Sequence, residues 1–156
     1  MSDTSAYDAN TGYALRIIPS GYKYSARLGD EIVSSDANPR GWEQSLRYTM
    51  TVDSSNALLV IKFACVLQYA SDHTALMEPR FRFNILDTYG NVISDCSNYD
   101  VYSSSSYVKG FNTYTPSSSN GNGPVSPVKW RDWTTVGANL SKYIGQTITI
   151  EFMAAD

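Results

Sequence analysis

The feature that most constrains the fold is the run Ala57-Leu58-Leu59-Val60-Ile61-Lys62-Phe63-Ala64-Cys65-Val66-Leu67, the longest apolar stretch in the chain. Leu59, Ile61, Phe63, Cys65 and Leu67 fall on one face at period two. Leu58, Val60, Lys62, Ala64 and Val66 fall on the other, where Lys62 carries the one charge. A buried helix can also be apolar all round, so periodicity alone does not decide. This run is short for a helix, rich in Val, Ile and Phe, and follows the turn signal Asp53-Ser54-Ser55-Asn56. Those features favour a central strand, buried fully on one face and mostly on the other. Such a strand needs a second layer above it, which points to a sandwich.

Further alternating runs follow the same logic. Tyr13 to Ile18 reads as a short strand ended by Pro19-Ser20-Gly21, and Tyr22 to Leu28 as a half-buried strand. Ser45 to Val52 alternates with Leu46, Tyr48, Met50 and Val52 inward. Arg80 to Leu86 does so with Phe81, Phe83 and Ile85, then turns through Asp87 to Asn91 into Val92-Ile93. Val128 to Val136 and Gln146 to Met153 are the last strands, the latter with Ile148, Ile150 and Phe152 inward. Between them Leu140 to Gly145 reads as one helical turn ended by glycine. About six to eight strands without a long helix give an all-β, antiparallel sandwich. Residues 1–12 read as a disordered arm, and 13–156 as a single domain with a long loop at 94–127. The loop's aromatics, Tyr99, Tyr102, Tyr107, Phe111 and Tyr114, argue that part of it packs or forms a short strand.

A chain of 156 residues is normally one domain. Its net charge is −3 and no cluster of five or more basic residues occurs, so a nucleic-acid surface is not expected. No apolar run approaches the ~18 residues that would suggest a membrane span. The polar start, Met1-Ser2-Asp3-Thr4-Ser5, has no apolar signal segment. That leaves a cytosolic protein or a domain from inside a longer secreted chain. Twelve tyrosines, a serine-rich texture and 17% charged residues fit the second, secreted or at the cell surface beside other domains of a parent chain.

The segment from Gly21 through Tyr22-Lys23-Tyr24-Ser25-Ala26-Arg27-Leu28 to Gly29-Asp30 is followed by Tyr48 to Asp53, Pro79-Arg80-Phe81, Leu86-Asp87 and Gly90-Asn91. The series closes with Lys129-Trp130-Arg131-Asp132-Trp133-Thr134-Thr135-Val136-Gly137 and Leu140-Ser141-Lys142-Tyr143-Ile144-Gly145-Gln146. In this order they resemble a jelly-roll module of large secreted or surface-anchored Bacteroidetes proteins, including adhesin-like and gliding-associated ones. More distantly the chain looks like the galactose-binding-like sandwich of many carbohydrate-binding modules. The resemblance implies that fold and a surface setting; taken with the aromatic loop and the lack of a catalytic set, it leads to a non-catalytic adhesive role toward a glycan or a cell-surface protein. It brings no activity residue by residue. Carbohydrate-module sandwiches often hold a structural calcium near their termini, which would fall to Asp156 and the Gly29-Asp30 turn.

Trp130 and Trp133 flank Arg131-Asp132. In an extended segment one tryptophan faces the core and the other the surface, where its flat apolar face can cover a sugar ring while Asp, Asn and Arg bond the hydroxyls. Core packing is the weightier reading of the pair. Tyr99, Tyr102, Tyr107 and Tyr114 among Ser, Asn and Gly suit an adaptable recognition loop, or an insertion with its aromatics laid on the sandwich. Carboxylates at Asp30, Glu31, Asp95, Asp100, Asp132, Glu151 and Asp156 read as strand-end or loop residues. Solvation is weightier for them than calcium ligation, because no linear calcium loop is present. His73 is the one histidine, which rules out a multi-histidine metal site in one chain. No nucleophile elbow or phosphate-binding glycine pattern accompanies it. Cys65 reads as a buried free thiol in preference to a bond with Cys96. Three functions therefore stand: an adhesive binding module, a structural spacer, and, last, a glycan-acting hydrolase with paired carboxylates such as Asp100 and Asp132.

Overall fold

A computed structural model describes residues 3–29, 43–69, 78–93, 98–103, 110–116 and 126–155. Among them are strands β1 (Glu43–Thr51), β2 (Leu58–Gln68), β3 (Arg80–Leu86), β4 (Tyr99–Tyr102), β5 (Asn112–Tyr114), β6 (Val128–Asn139) and β7 (Thr147–Ala155). They form two antiparallel sheets, ordered β1-β7-β3-β4 and β2-β6-β5.

Period-two alternation decides which side of each strand is buried. Phe63, Cys65 and Leu67 of β2 and Ala138 of β6 meet Phe81, Phe83 and Ile85 of β3, Val101 of β4, and Ile148 and Ile150 of β7 in one core. The contact between sheets is aromatic. The Phe63 ring centroid lies 5.0 Å from that of Phe81 and 5.0 Å from that of Tyr99. Burying side chains of the size of Phe83 or Ile85 contributes roughly 1.5–3 kcal/mol each. Cys65 is a free thiol in this core, and burial pushes its pKa up to about 12. Leu140 to Gly145 holds a 3-10 turn over Ser141–Tyr143, with Gly145 at φ 85°. The Tyr143 hydroxyl donates to the Ile93 carbonyl and ties this turn to the segment after β3.

Three expectations need correction. The founding run is a strand, but among the described residues β2 stands at the edge of its sheet, and Leu58 and Val60 are 69% and 57% exposed. Its inward face is as expected; the apolar character of the other face does not reflect a covering layer at that end. In β1, Met50 packs against the core and Val52 just beyond is buried, but Leu46 and Tyr48, on the same alternation, are 46% and 64% exposed. Tyr13 to Ile18 and Tyr22 to Leu28 are not strands.

The amino-terminal segment instead bonds to itself. Gly12 and Tyr13 both have positive φ, 67° and 62°, and reverse the chain so that Tyr7 bridges Arg16. Asp8 N–H donates to the Leu15 carbonyl at 2.8 Å and Ile17 N–H to the Ala6 carbonyl at 3.1 Å. With those groups satisfied locally, the segment packs by side chains: Thr11, Leu15 and Ile18 are buried. Its 3-10 turn, Ala9–Thr11, lies against β5 and β6.

Gly12 is the tightest point of that packing. A Cβ there would lie 2.6 Å from the Tyr114 ring, in a left-handed conformation that disfavours side chains. Gly12→Ala is expected to lower stability by at least about 1–2 kcal/mol, read as a reduced urea midpoint. An unchanged midpoint would show that the segment adds nothing to the fold.

Candidate functional site

On the core-averted side of the four-stranded sheet, alternation brings a different set of residues together. β7 points Thr147, Thr149, Glu151 and Met153 outward, and β3 points Arg80, Arg82, Asn84 and Leu86. Register completes the rows. Arg47 of β1 pairs with Glu151, which pairs with Asn84; Thr49 pairs with Thr149, which pairs with Leu86; Arg82 pairs with Asp100. The turn after β3 rises at one end. Asp87 holds it by accepting from the N–H groups of Tyr89 and Asn91 at 2.8 and 2.9 Å. The result is an open groove of about 640 Å³ lined mainly by Arg47, Thr49, Arg82, Asn84, Thr149 and Glu151.

Its floor is the unusual part. Glu151 is 5% exposed although it lies on the outer side of the sheet. Arg47 reaches one carboxylate oxygen, Oε1, with Nε at 2.7 Å and Nη2 at 2.6 Å. Asn84, itself buried, donates from Nδ2 to the other oxygen at 3.3 Å. A charge this deep is tolerable when paired and hydrogen-bonded. The Arg47 side chain remains 62% exposed, so the guanidinium faces the groove as well as the carboxylate. Thr49 and Thr149 hydroxyls, 3.0 Å apart, line the next row.

At the β4 margin Arg80 and Arg82 both grip Asp100, Arg80 through Nε and Nη2. The Arg80 hydrogen bond, helped by the charges of Arg80 and Arg82, holds the Asp100 carboxyl below its ordinary range. The Arg80 guanidinium carbon lies 4.4 Å from the centre of the Tyr102 ring. The groove therefore offers guanidinium donors, hydroxyls and an amide over a paired carboxylate, with a tyrosine at its margin.

The residues singled out from sequence are divided between the two sheets. Tyr102 lies on the groove side of β4, opposite Arg80. Tyr114, Trp130 and Trp133 belong to the other sheet, all half-buried. Trp130 stands opposite Val66 on β2 and Asn112 on β5. A bulge sets Asp132 and Trp133 opposite Ala64 and breaks the simple alternation of this segment. Trp133 Nε1 donates to the Arg16 carbonyl at 2.7 Å, and Tyr114 lies against Gly12. The amino-terminal segment thus occupies part of the aromatic surface of β5 and β6. Arg131 turns to Tyr99, donating to its hydroxyl at 2.9 Å. Asp100 and Asp132 lie on different sheets. Tyr107, Asp30 and Asp156 lie outside the described residues, as do Glu31, Asp95 and His73. Among the described residues no group of three or more His, Cys, Asp or Glu could hold a metal ion.

Glu151 and Asp132 sit within strands, not at strand ends or in loops as expected from sequence. The outward positions of β3 and β7 were readable from their alternation. The meeting of Arg47, Glu151 and Asn84 was not, because it depends on register across long separations in sequence. The chain matches no family model, no curated protein and no solved structure at a significant level.

Removing one partner of the floor pair leaves the other unsatisfied. Arg47→Leu and Glu151→Leu are each expected to cost about 1–3 kcal/mol, and the double replacement Arg47→Leu with Glu151→Leu to cost less than the sum of the two. A thermodynamic cycle from urea unfolding reads this, and strict additivity would contradict the pairing. For Asp100 the folded pKa is depressed, so its contribution is fully present above the unfolded value of ~3.9 and is lost as pH falls through the folded value. Asp100→Asn should destabilise the domain at pH 7 and lose that effect once the parent's carboxyl is protonated. An equal effect at pH 7 and pH 2 would remove the ion-pair account.

Proposed function

We propose that this domain is a non-catalytic binding module of a secreted or cell-surface protein, and that it takes a glycan on the outer face of β1-β7-β3-β4. One observation carries the reading: the Arg47–Glu151–Asn84 row at the floor of an open, strand-lined groove. A buried, paired carboxylate on an outward sheet face is costly to keep if the face serves only as a solvated exterior. Fixed guanidinium, amide and hydroxyl groups in an open groove suit a ligand dense in hydroxyls, since each can be met without moving the backbone. The carboxylate of this row is engaged by Arg47 and Asn84, and Asp100 by two arginines, which supports a binding role over acid–base chemistry. The jelly-roll, galactose-binding-like type belongs to the same proposal. Its support is the nested pairing of β1 with β7 and of β2 with β6, as the wrapping of a jelly roll requires.

A glycan array probed with the whole chain tests this, once with calcium and once with chelator. Saturable binding is expected, weakened about tenfold or more by Arg82→Ala and little changed by Lys129→Ala on the other sheet. Loss with chelator would add a structural calcium, for which Asp30 and Asp156 remain the proposed ligands. A blank array with folded protein would turn the reading toward a protein ligand or a spacer.

A further inference from the structure

We propose that β1 is a self-pairing edge, and that two copies of this chain join through it in antiparallel register centred on Tyr48. This goes beyond the glycan reading and does not depend on it. The first observation is regularity. β1 pairs with β7 over nine consecutive residue pairs, from Glu43–Ala155 to Thr51–Thr147, without a bulge. Among the described residues β7 is the neighbour of β1 in the sheet, and at the other edge β4 has four residues. Long, flat, partly apolar edges template the addition of another strand, and proteins that avoid this place lysine, proline or a bulge there. Glu43 to Thr51 contains no lysine and no proline, and its mid-strand charge, Arg47, points to the outer face, where Glu151 engages it. The contrast is β2, the long edge of the opposite sheet. It also exposes apolar residues, Leu58 and Val60, but it carries Lys62 at mid-strand and has a register shift after Phe63.

The second observation is what β1 exposes. Leu46 and Tyr48 are 46% and 64% exposed, on the side of the sheet that continues into the core through Met50. A second β1 would cover them in kind. With Tyr48 opposite its own copy, Leu46 faces Met50 of the partner copy, Arg47 faces Thr49, and Ser45 faces Thr51. Apolar residues then meet apolar residues on the inner side, while on the outer side hydroxyls meet hydroxyls and each copy's guanidinium meets a hydroxyl. Centring on Arg47 instead would set like charges directly opposite, which destabilises a strand pair. The self-complementary alternation therefore fits a second copy of this strand. It also sets two grooves side by side, because Arg47 and Thr49 line the groove from β1.

Sedimentation velocity of the whole chain over a concentration series tests the pairing. The expected result is a monomer–dimer equilibrium in which the dimer is lost in Tyr48→Lys, where two lysines would face each other, and weakened in Leu46→Lys. Both variants should keep the parent circular dichroism spectrum. If one fails to fold, the other decides. A monomer throughout the series, or a dimer indifferent to a folded lysine variant, would overturn the proposal.

Discussion

Strand β7 is the element on which the rest depends, because it must satisfy two opposite demands along nine residues. It lies between β1 and β3, so its backbone groups are paired on both sides. Its inward residues Ile148 and Ile150 are buried against the aromatic layer that joins the two sheets. Its outward residues are mostly polar, which keeps the sheet exterior from becoming an aggregation surface, yet Glu151 among them is still withdrawn from water. The ion pair with Arg47 and the amide of Asn84 make that withdrawal tolerable. They also join three strands through side chains as well as through the backbone.

The two outer faces of the sandwich have been resolved in different ways. Over β5 and β6 the amino-terminal segment lies on the sheet, and its buried Leu15, Ile18 and Thr11 bring apolar surface to a side that carries Trp130, Trp133 and Tyr114. Over β1-β7-β3-β4 the face is polar, with arginines, threonines and carboxylates arranged in rows across the strands. Tyr114 and Trp133, which attract attention in the sequence, therefore serve packing between the segment and its sheet, while a quieter set of polar residues builds the groove.

How much of this was legible in the sequence follows from range. The inward positions of β3 and β7, the turn at Asp87 to Asn91 and the glycine-ended turn before β7 are local patterns, and they were readable. The edge placement of β2 was not, because its hydrophobicity on both faces is the usual mark of a central strand. Nor was the fate of Tyr13 to Ile18. Alternation there is real, but Gly12 and Tyr13 reverse the chain, and the segment's hydrogen bonds close on themselves before a ladder can form. The groove escaped for the same reason: Arg47, Asn84 and Glu151 are unremarkable apart, and strand register alone brings them together.

The most direct test of the account is where a bound sugar perturbs the molecule. Backbone amide shifts recorded during titration with a glycan that binds should move at outward positions of β1, β3 and β7, chiefly Thr49, Arg82, Asn84, Thr149 and Glu151. They should leave Thr113, Lys129 and Trp130 in place. Shifts gathered over β5, β6 and the amino-terminal segment, with the groove silent, would contradict the account and return the site to the tryptophans.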